Sequence, residues 1–243
     1  MQKACRRGLR KCIAYFLAGR ILRRQFSAIH VRNLGLRPPD DEAILYFANH
    51  VSPWDGLLGR YLTYTCLQQD PYAMTSEPML PLARWSGTFS VDSRDRFDVV
   101  NAVRYATELL AQTPSCGLWM FPERMAYPYN QRPRNLAPGT SLIIRRVKAL
   151  VLVPVVFKYS FNNDPNHSDA FVNFGAPFSA TVGLSQNDLT AELETRLTHD
   201  LDMVSNDLGA RRTGDFITIM DTHIDCTQSL RQGVTLYRKV NKS

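Results

Sequence analysis

The sequence predicts an α/β domain: a layered fold with a mixed, largely parallel central sheet flanked by helices, and a basic amphipathic helical arm before it. Three observations carry this. Strand-length apolar runs alternate with segments of helical period for most of the 243 residues. One of those runs, Leu150–Phe157 (LVLVPVVF), is apolar on every position, as a strand covered on both faces must be. And ten of the 29 basic residues fall within residues 1–37, with no acid before Asp40. The rest of the chain is mildly acidic, with 19 basic residues against 22 acidic. The boundaries that follow are 1–37 for the arm and 38–243 for the α/β domain.

In the arm, Ile13, Phe16, Leu17 and Ile21 recur at helical spacing among arginines. The longest uncharged stretch, Cys12–Gly19, is far short of the roughly 20 residues a spanning helix needs. Arg20, Arg23 and Arg24 close it, and no small-residue cleavage site follows, so it does not read as a signal peptide. A basic amphipathic helix on an anionic membrane surface accounts for both the charge and the period. A uniformly basic body would point to nucleic acid; a basic arm on an acidic body does not. The five cysteines are odd in number and show no CxxC spacing, which fits neither a disulfide framework nor a zinc site. They suit a reducing compartment, so the expected location is peripheral, on the cytoplasmic side of a membrane.

After the Pro-Pro-Asp-Asp linker, Ala43–His50 (AILYFANH) reads as a short buried strand. Ser52–Gln69 reads as a helix, with Ser52 as N-cap, Pro53 at its first position and Asp55 at its third. Asp70–Ser76 is a weaker strand, Ser76–Trp85 a short helix with loops, and Gly87–Asp92 another strand. Residues 95–112 place Phe97, Val100, Val103, Ala106 and Leu110 on one helical stripe. Cys116–Glu123 is a strand ending in a Pro-Glu turn. A short helix follows Gly139, strands follow at 150–157 and 170–175, and a long helix covers 185–208 with Leu189, Leu193, Leu197, Leu201, Val204 and Leu208 on one face. Beyond Gly214 the pattern is ambiguous.

In an open α/β sheet, functional residues gather beyond the carboxyl ends of the strands. Asn49-His50 and Pro122-Glu123 both stand there. His50 and Asp55 are five apart, and two readings meet on them. Ser52-x-x-Asp55 resembles a capping box, in which Asp55 complements the helix dipole and His50 has no task. In the other reading Asp55 accepts from one ring nitrogen of His50, fixes its tautomer, and leaves the second nitrogen as a general base for a substrate hydroxyl.

The stretch NHVSPWD resembles the N-H-x-x-x-x-D block of the glycerolipid acyltransferases, the group of 1-acylglycerol-3-phosphate acyltransferases and related lysophospholipid acyltransferases. Three further stretches are similar to later blocks in the same order: GTFSVDSRDR, LWMFPER and LVPVVF, with Gly139 resembling the glycine that opens the helix between the last two. The resemblance covers about residues 40–175. It implies transfer of a fatty acyl group from a thioester, acyl-CoA or acyl-carrier protein, to a hydroxyl of a lipid acceptor such as a lysophospholipid. No other cofactor and no metal is implied. His50 would be the base and Asp55 its partner; Asn49, Arg94, Arg96, Glu123, Arg124 and Gly139 would line the substrate side, with Arg94 or Arg96 forking onto an acceptor phosphate. The third block departs from the family pattern. Where Glu-Gly-Thr-Arg-Ser is usual, the chain reads Glu123-Arg124-Met125-Ala126-Tyr127. Arg124, Arg132 or Arg134 could supply the missing cation, or the acceptor carries no phosphate, as in a glycosylated or otherwise hydroxylated lipid. A lipid-binding member without transfer activity is the remaining alternative.

Asp221, His223 and Asp225 alternate and could share a strand face as metal ligands, but such patterns are ordinary on solvated segments. Residues 162–169 lack the glycine and terminal glutamate of a calcium loop and read as a turn. His30, His167 and His199 are given no role, and no glycine-rich phosphate loop is present.

Overall fold

Side chains alternate across a strand, so a strand apolar on both parities needs a cover on each face. The second strand, β2 (Ile44–Ala48), shows the consequence. Ile44, Tyr46 and Ala48 join one hydrophobic cluster, and Leu45 and Phe47 join another on the opposite side of the sheet. A computed structural model describes residues 1–4, 8–34, 42–76, 81–113, 115–123, 136–147, 149–160, 167–180 and 183–221. Among these, nine strands form one sheet. The others are β1 (Phe26–Arg32), β3 (Asp70–Thr75), β4 (Thr88–Ser90), β5 (Cys116–Met120), β6 (Val151–Ser160), β7 (Ser168–Phe174), β8 (Phe178–Ser179) and β9 (Ile217–Asp221). Their order is β4-β3-β5-β2-β6-β7-β1-β9, with β8 paired to β6. The five strands from β4 to β6 run parallel; β7 turns against β6, β1 follows β7, and β9 closes the edge antiparallel to β1. The sheet is therefore mixed and largely parallel, as expected.

Helices α1 (Gly8–Gln25) and α2 (Asp55–Thr65) cover one face; α4 (Arg96–Gln112), α5 (Gly139–Ile144) and α6 (Gln186–Gly209) cover the other, and a short α3 (Pro81–Trp85) lies beside α1. The leucines of α6 bury as their spacing demands, behind a Ser185 cap that accepts from the Asp188 N–H at 3.2 Å. Pro154 stands in β6 just where the β7 ladder has ended; its carbonyl accepts from Gly175 at 2.8 Å, and its lack of an N–H leaves no gap in the β6–β7 register.

Three expectations need correction. Residues 1–37 are not one arm: α1 packs Ala14, Tyr15, Ala18, Gly19 and Leu22 onto the body, and Phe26–Arg32 is a strand of the sheet. The basic composition hid a strand whose positions are buried on both faces. In α4 the buried stripe is Ala102, Val103, Ala106 and Leu110, while Phe97 and Val100 of the first turns stay 75% and 61% exposed. And α2 starts at Asp55, two residues later than the Ser-Pro signal suggested. Ser52 and Pro53 form a turn ahead of it, in which the Trp54 N–H donates to Ser52 Oγ at 3.3 Å.

α2 lies very close to β5. A Cβ at Gly59 would come within 2.9 Å of three ring carbons of the fully buried Trp119, so only glycine lets the helix settle at this depth. The indole N–H in turn donates to Thr63 Oγ1 at 2.9 Å. That contact sets α2, and with it Asp55, against the carboxyl edge of the sheet.

Candidate active site

The neighbouring parallel strands β5, β2 and β6 end at one edge, and their continuations build the site. β2 runs out at Ala48. Asn49 then extends its pairing with β6 by a side chain: the Asn49 amide N–H donates to the Phe157 carbonyl at 2.9 Å, and its Oδ1 accepts from the Phe157 N–H at 2.8 Å. The residue is 2% exposed. Asn49, expected on the substrate side, is therefore not presented to a substrate; both ends of its amide are engaged on the Phe157 backbone within β6.

His50 follows at the rim. Its Nδ1 lies 2.9 Å from Asp55 Oδ2. A carboxylate accepts, so Nδ1 carries the proton. Nε2 has no partner among the described residues and is open to the outside, on a side chain 32% exposed. Asp55 is fully buried. Its Oδ2 also accepts from the Val51 and Ser52 N–H groups, both at 2.8 Å, and its Oδ1 accepts from the Tyr159 hydroxyl. The capping reading and the dyad reading thus describe one object. The Asp55 carboxylate organises the turn before α2, and the same oxygen aligns the imidazole.

Glu123, after β5, reaches across to the same loop: its Oε2 accepts from the His50 backbone N–H at 2.8 Å. Burial pushes the Glu123 carboxyl up to about 7, against the opposing pull of that hydrogen bond and of the His50 ring. The half-buried Phe121 ring lies 4.9 Å from the imidazole and forms one wall. Val51, Trp54 and Leu57, all half-buried, continue an apolar surround. These side chains set an apolar border beside the imidazole.

The second-block arginines stand apart. β4 lies three strands from β2, about 14 Å at ~4.8 Å per strand. Arg94 is exposed there, and its guanidinium forks onto Asp92 at 3.1 and 3.2 Å. Arg96 is exposed at the start of α4. Gly139 opens α5, and the chain before it is tied to the site by the Ala137 N–H, which donates to the Pro122 carbonyl at 2.7 Å. Arg124, Arg132 and Arg134, His223 and Asp225, residues 162–166 and the Asp221 side chain lie outside the described residues. Ser168 and Asp169, read as part of a turn, begin β7. Among the described residues, no group of three or more His, Cys, Asp or Glu is placed to hold a metal.

Tyr159 is the residue that sequence reasoning missed. It sits 104 positions from Asp55 with no motif around it, and only the β2–β6 register brings it there.

No family model and no curated protein sequence matches the chain. Its fold does match a solved one, the crystal structure of the 1-acyl-sn-glycerophosphate (LPA) acyltransferase PlsC from Thermotoga maritima. The TM-score is 0.57 at 16% identity, over 79% of this chain and 78% of that one.

Proposed function

We propose that this chain is an O-acyltransferase that moves a fatty acyl group from a thioester, acyl-CoA or acyl-carrier protein, to a hydroxyl of a lipid acceptor such as a lysophospholipid or 1-acylglycerol-3-phosphate. The observation that carries it is the His50–Asp55 pair, buried on the carboxylate side and open at Nε2, on the fold of a lysophosphatidic acid acyltransferase. The chemistry follows from the protonation pattern. Nε2 takes the proton of the acceptor hydroxyl as its oxygen attacks the thioester carbonyl. The imidazolium so formed is stabilised by Asp55. Collapse of the tetrahedral intermediate breaks the C–S bond, and the proton on Nε2 goes to the departing thiolate. Glu123 holds the loop that carries His50 and shapes the acceptor side.

The acceptor and the acyl product are lipids, so the enzyme must meet a bilayer. Leu9, Ile13, Phe16 and Leu17 form an exposed apolar stripe on α1, opposite its packed face, and Arg20 and Arg24 continue that stripe towards the end of the helix. That end leads into Phe26, whose ring stacks on Tyr159 behind the dyad. Seating this stripe in the headgroup layer of an anionic membrane brings the bilayer to the catalytic edge. No helix among the described residues is long and apolar enough to cross a membrane. We place the protein peripherally, on the cytoplasmic face where the thioester donors are found, with no role for nucleic acid.

The test is thioester consumption by the purified protein against a panel of lysophospholipids and non-phosphate hydroxylated lipids, with His50→Ala beside it. Loss of the base is expected to lower kcat/KM by about 10²–10⁴-fold. Undiminished turnover in His50→Ala would refute the assigned base. The panel also separates phosphate-bearing acceptors from the glycosylated or hydroxylated alternative, which the pairing of Arg94 with Asp92 favours. Specific retention of such lipids without turnover would support the non-catalytic alternative.

A further inference from the structure

The two oxygens of Asp55 are served by different parts of the chain. Oδ2 takes its three donors, His50 Nδ1–H and the Val51 and Ser52 N–H groups, from within five residues. Oδ1 has a single donor among the described residues, the Tyr159 hydroxyl. The carboxylate torsion is soft, and donors on Oδ2 alone leave its plane free to turn about that oxygen. The Tyr159 hydroxyl on Oδ1 fixes the plane by a second point. The tyrosine is itself fixed on two sides. Its ring stacks on Phe26 at 5.4 Å and 8°, with Phe26 2% and Tyr159 7% exposed. Its backbone position follows from the Asn49 clamp on Phe157, two residues earlier on the same strand face.

We propose that Tyr159 is a positioning residue for the acyl transfer: it holds Asp55 Oδ1 so that Oδ2 keeps the His50 proton on Nδ1 and leaves Nε2 bare towards the acceptor hydroxyl. This rests on the acyl-transfer reading above. Tyr159 touches neither substrate nor reacting atoms; it acts through Asp55.

Tyr159→Phe removes the hydroxyl and keeps the ring stack. Loss of one hydrogen bond to a charged group is expected to lower kcat by about 10- to 100-fold, while KM for donor and acceptor stays within about two-fold, since no substrate contact is lost. A second readout does not need turnover. In ¹⁵N-histidine NMR spectra of the full chain, native His50 is expected to show the proton on Nδ1, and Tyr159→Phe a mixture with the Nε2–H form. Phe26→Leu, which retains the hydroxyl but removes its stacking partner, is expected to mix the tautomers to a smaller extent, and it carries the test if Tyr159→Phe fails to fold. A folded Tyr159→Phe with native kcat and a single native tautomer overturns the proposal. So does a fall in kcat with the tautomer unchanged, which would assign the loss to packing. If the native chain turns over no thioester, the acyl-transfer reading fails, and the tautomer shift still shows whether Tyr159 positions the dyad.

Discussion

Replacing Glu123 by Gln isolates the one carboxyl that burial pushes up to about 7. In the unfolded chain it titrates near its ordinary value of 4.5. Between these values the folded state holds a proton that the unfolded state has released, so folding stability falls as pH rises through this window. Below 4.5 both states are protonated and the group costs nothing. Above 7 both are ionised and the full cost is present. At 1.36 kcal/mol per unit, the separation of 4.5 and about 7 corresponds to about 3 kcal/mol. The carboxyl keeps some access to solvent, so about 3 kcal/mol is the upper bound of this cost. Gln retains an oxygen for the His50 N–H at the same place and does not titrate. The stability difference between Glu123→Gln and the native chain, measured by urea unfolding, is therefore expected to move in the variant's favour by up to about 3 kcal/mol from pH 4.5 to about pH 8. In thermal scans that is a relative gain of at most roughly 6–12 °C for a chain of this size. Comparing the two pH values cancels any constant effect of the substitution. An equal difference at both pH values would refute the reasoning, because it would mean that Glu123 titrates alike in both states. A difference moving the other way would show that the folded site favours the carboxylate.

Two further perturbations probe other parts of the argument. Gly59→Ala places a Cβ within 2.9 Å of the fully buried Trp119 ring, and either the ring or α2 must shift; urea unfolding is expected to show a loss of about 1–3 kcal/mol, and native stability would show that the helix–sheet contact has slack. Leu9→Glu with Phe16→Glu alters two side chains that are 76% and 66% exposed, so the melting temperature is expected to be unchanged. Affinity for mixed phosphatidylcholine–phosphatidylglycerol vesicles in sedimentation is expected to fall by about 100-fold, from the loss of roughly 3 kcal/mol of apolar burial; native affinity in this variant would remove α1 as the membrane contact.

What could be read from sequence was what is local. His50 and Asp55 are joined by one turn, so their spacing already contained their geometry, and the surrounding Val51 and Ser52 amides come with the turn. The helices with regular apolar spacing, α6 above all, were legible for the same reason. β1 was not, because its signal lay in a segment dominated by arginines, one of which, Arg32, is buried and paired with Asp207 at 2.8 Å. A buried charge that finds its partner 175 residues away looks, in sequence, the same as a solvated one. Asn49 was misjudged for a related reason. An amide beside a histidine at a strand end resembles a substrate contact, and its engagement with Phe157 follows only from the strand order.

The division between local and distant contacts has a consequence for how this site works. The groups that would do chemistry, His50 Nε2 and its proton-bearing Nδ1, are set by residues within one turn. What makes that turn stay in place is distant: Phe157 of β6 on the Asn49 amide, Glu123 from β5 on the His50 N–H, Tyr159 on the second oxygen of Asp55, and Trp119 of β5 against Gly59 of α2. The proposed general base is therefore a local motif held from the two strands that flank β2. Changes at Phe157, Tyr159 or Gly59 should affect rate through the alignment of the imidazole, with little effect on substrate affinity, and changes to the exposed stripe of α1 should act on access to lipid, with the dyad left intact. A variant set that separates KM from kcat along this line distinguishes the two halves of the molecule's task.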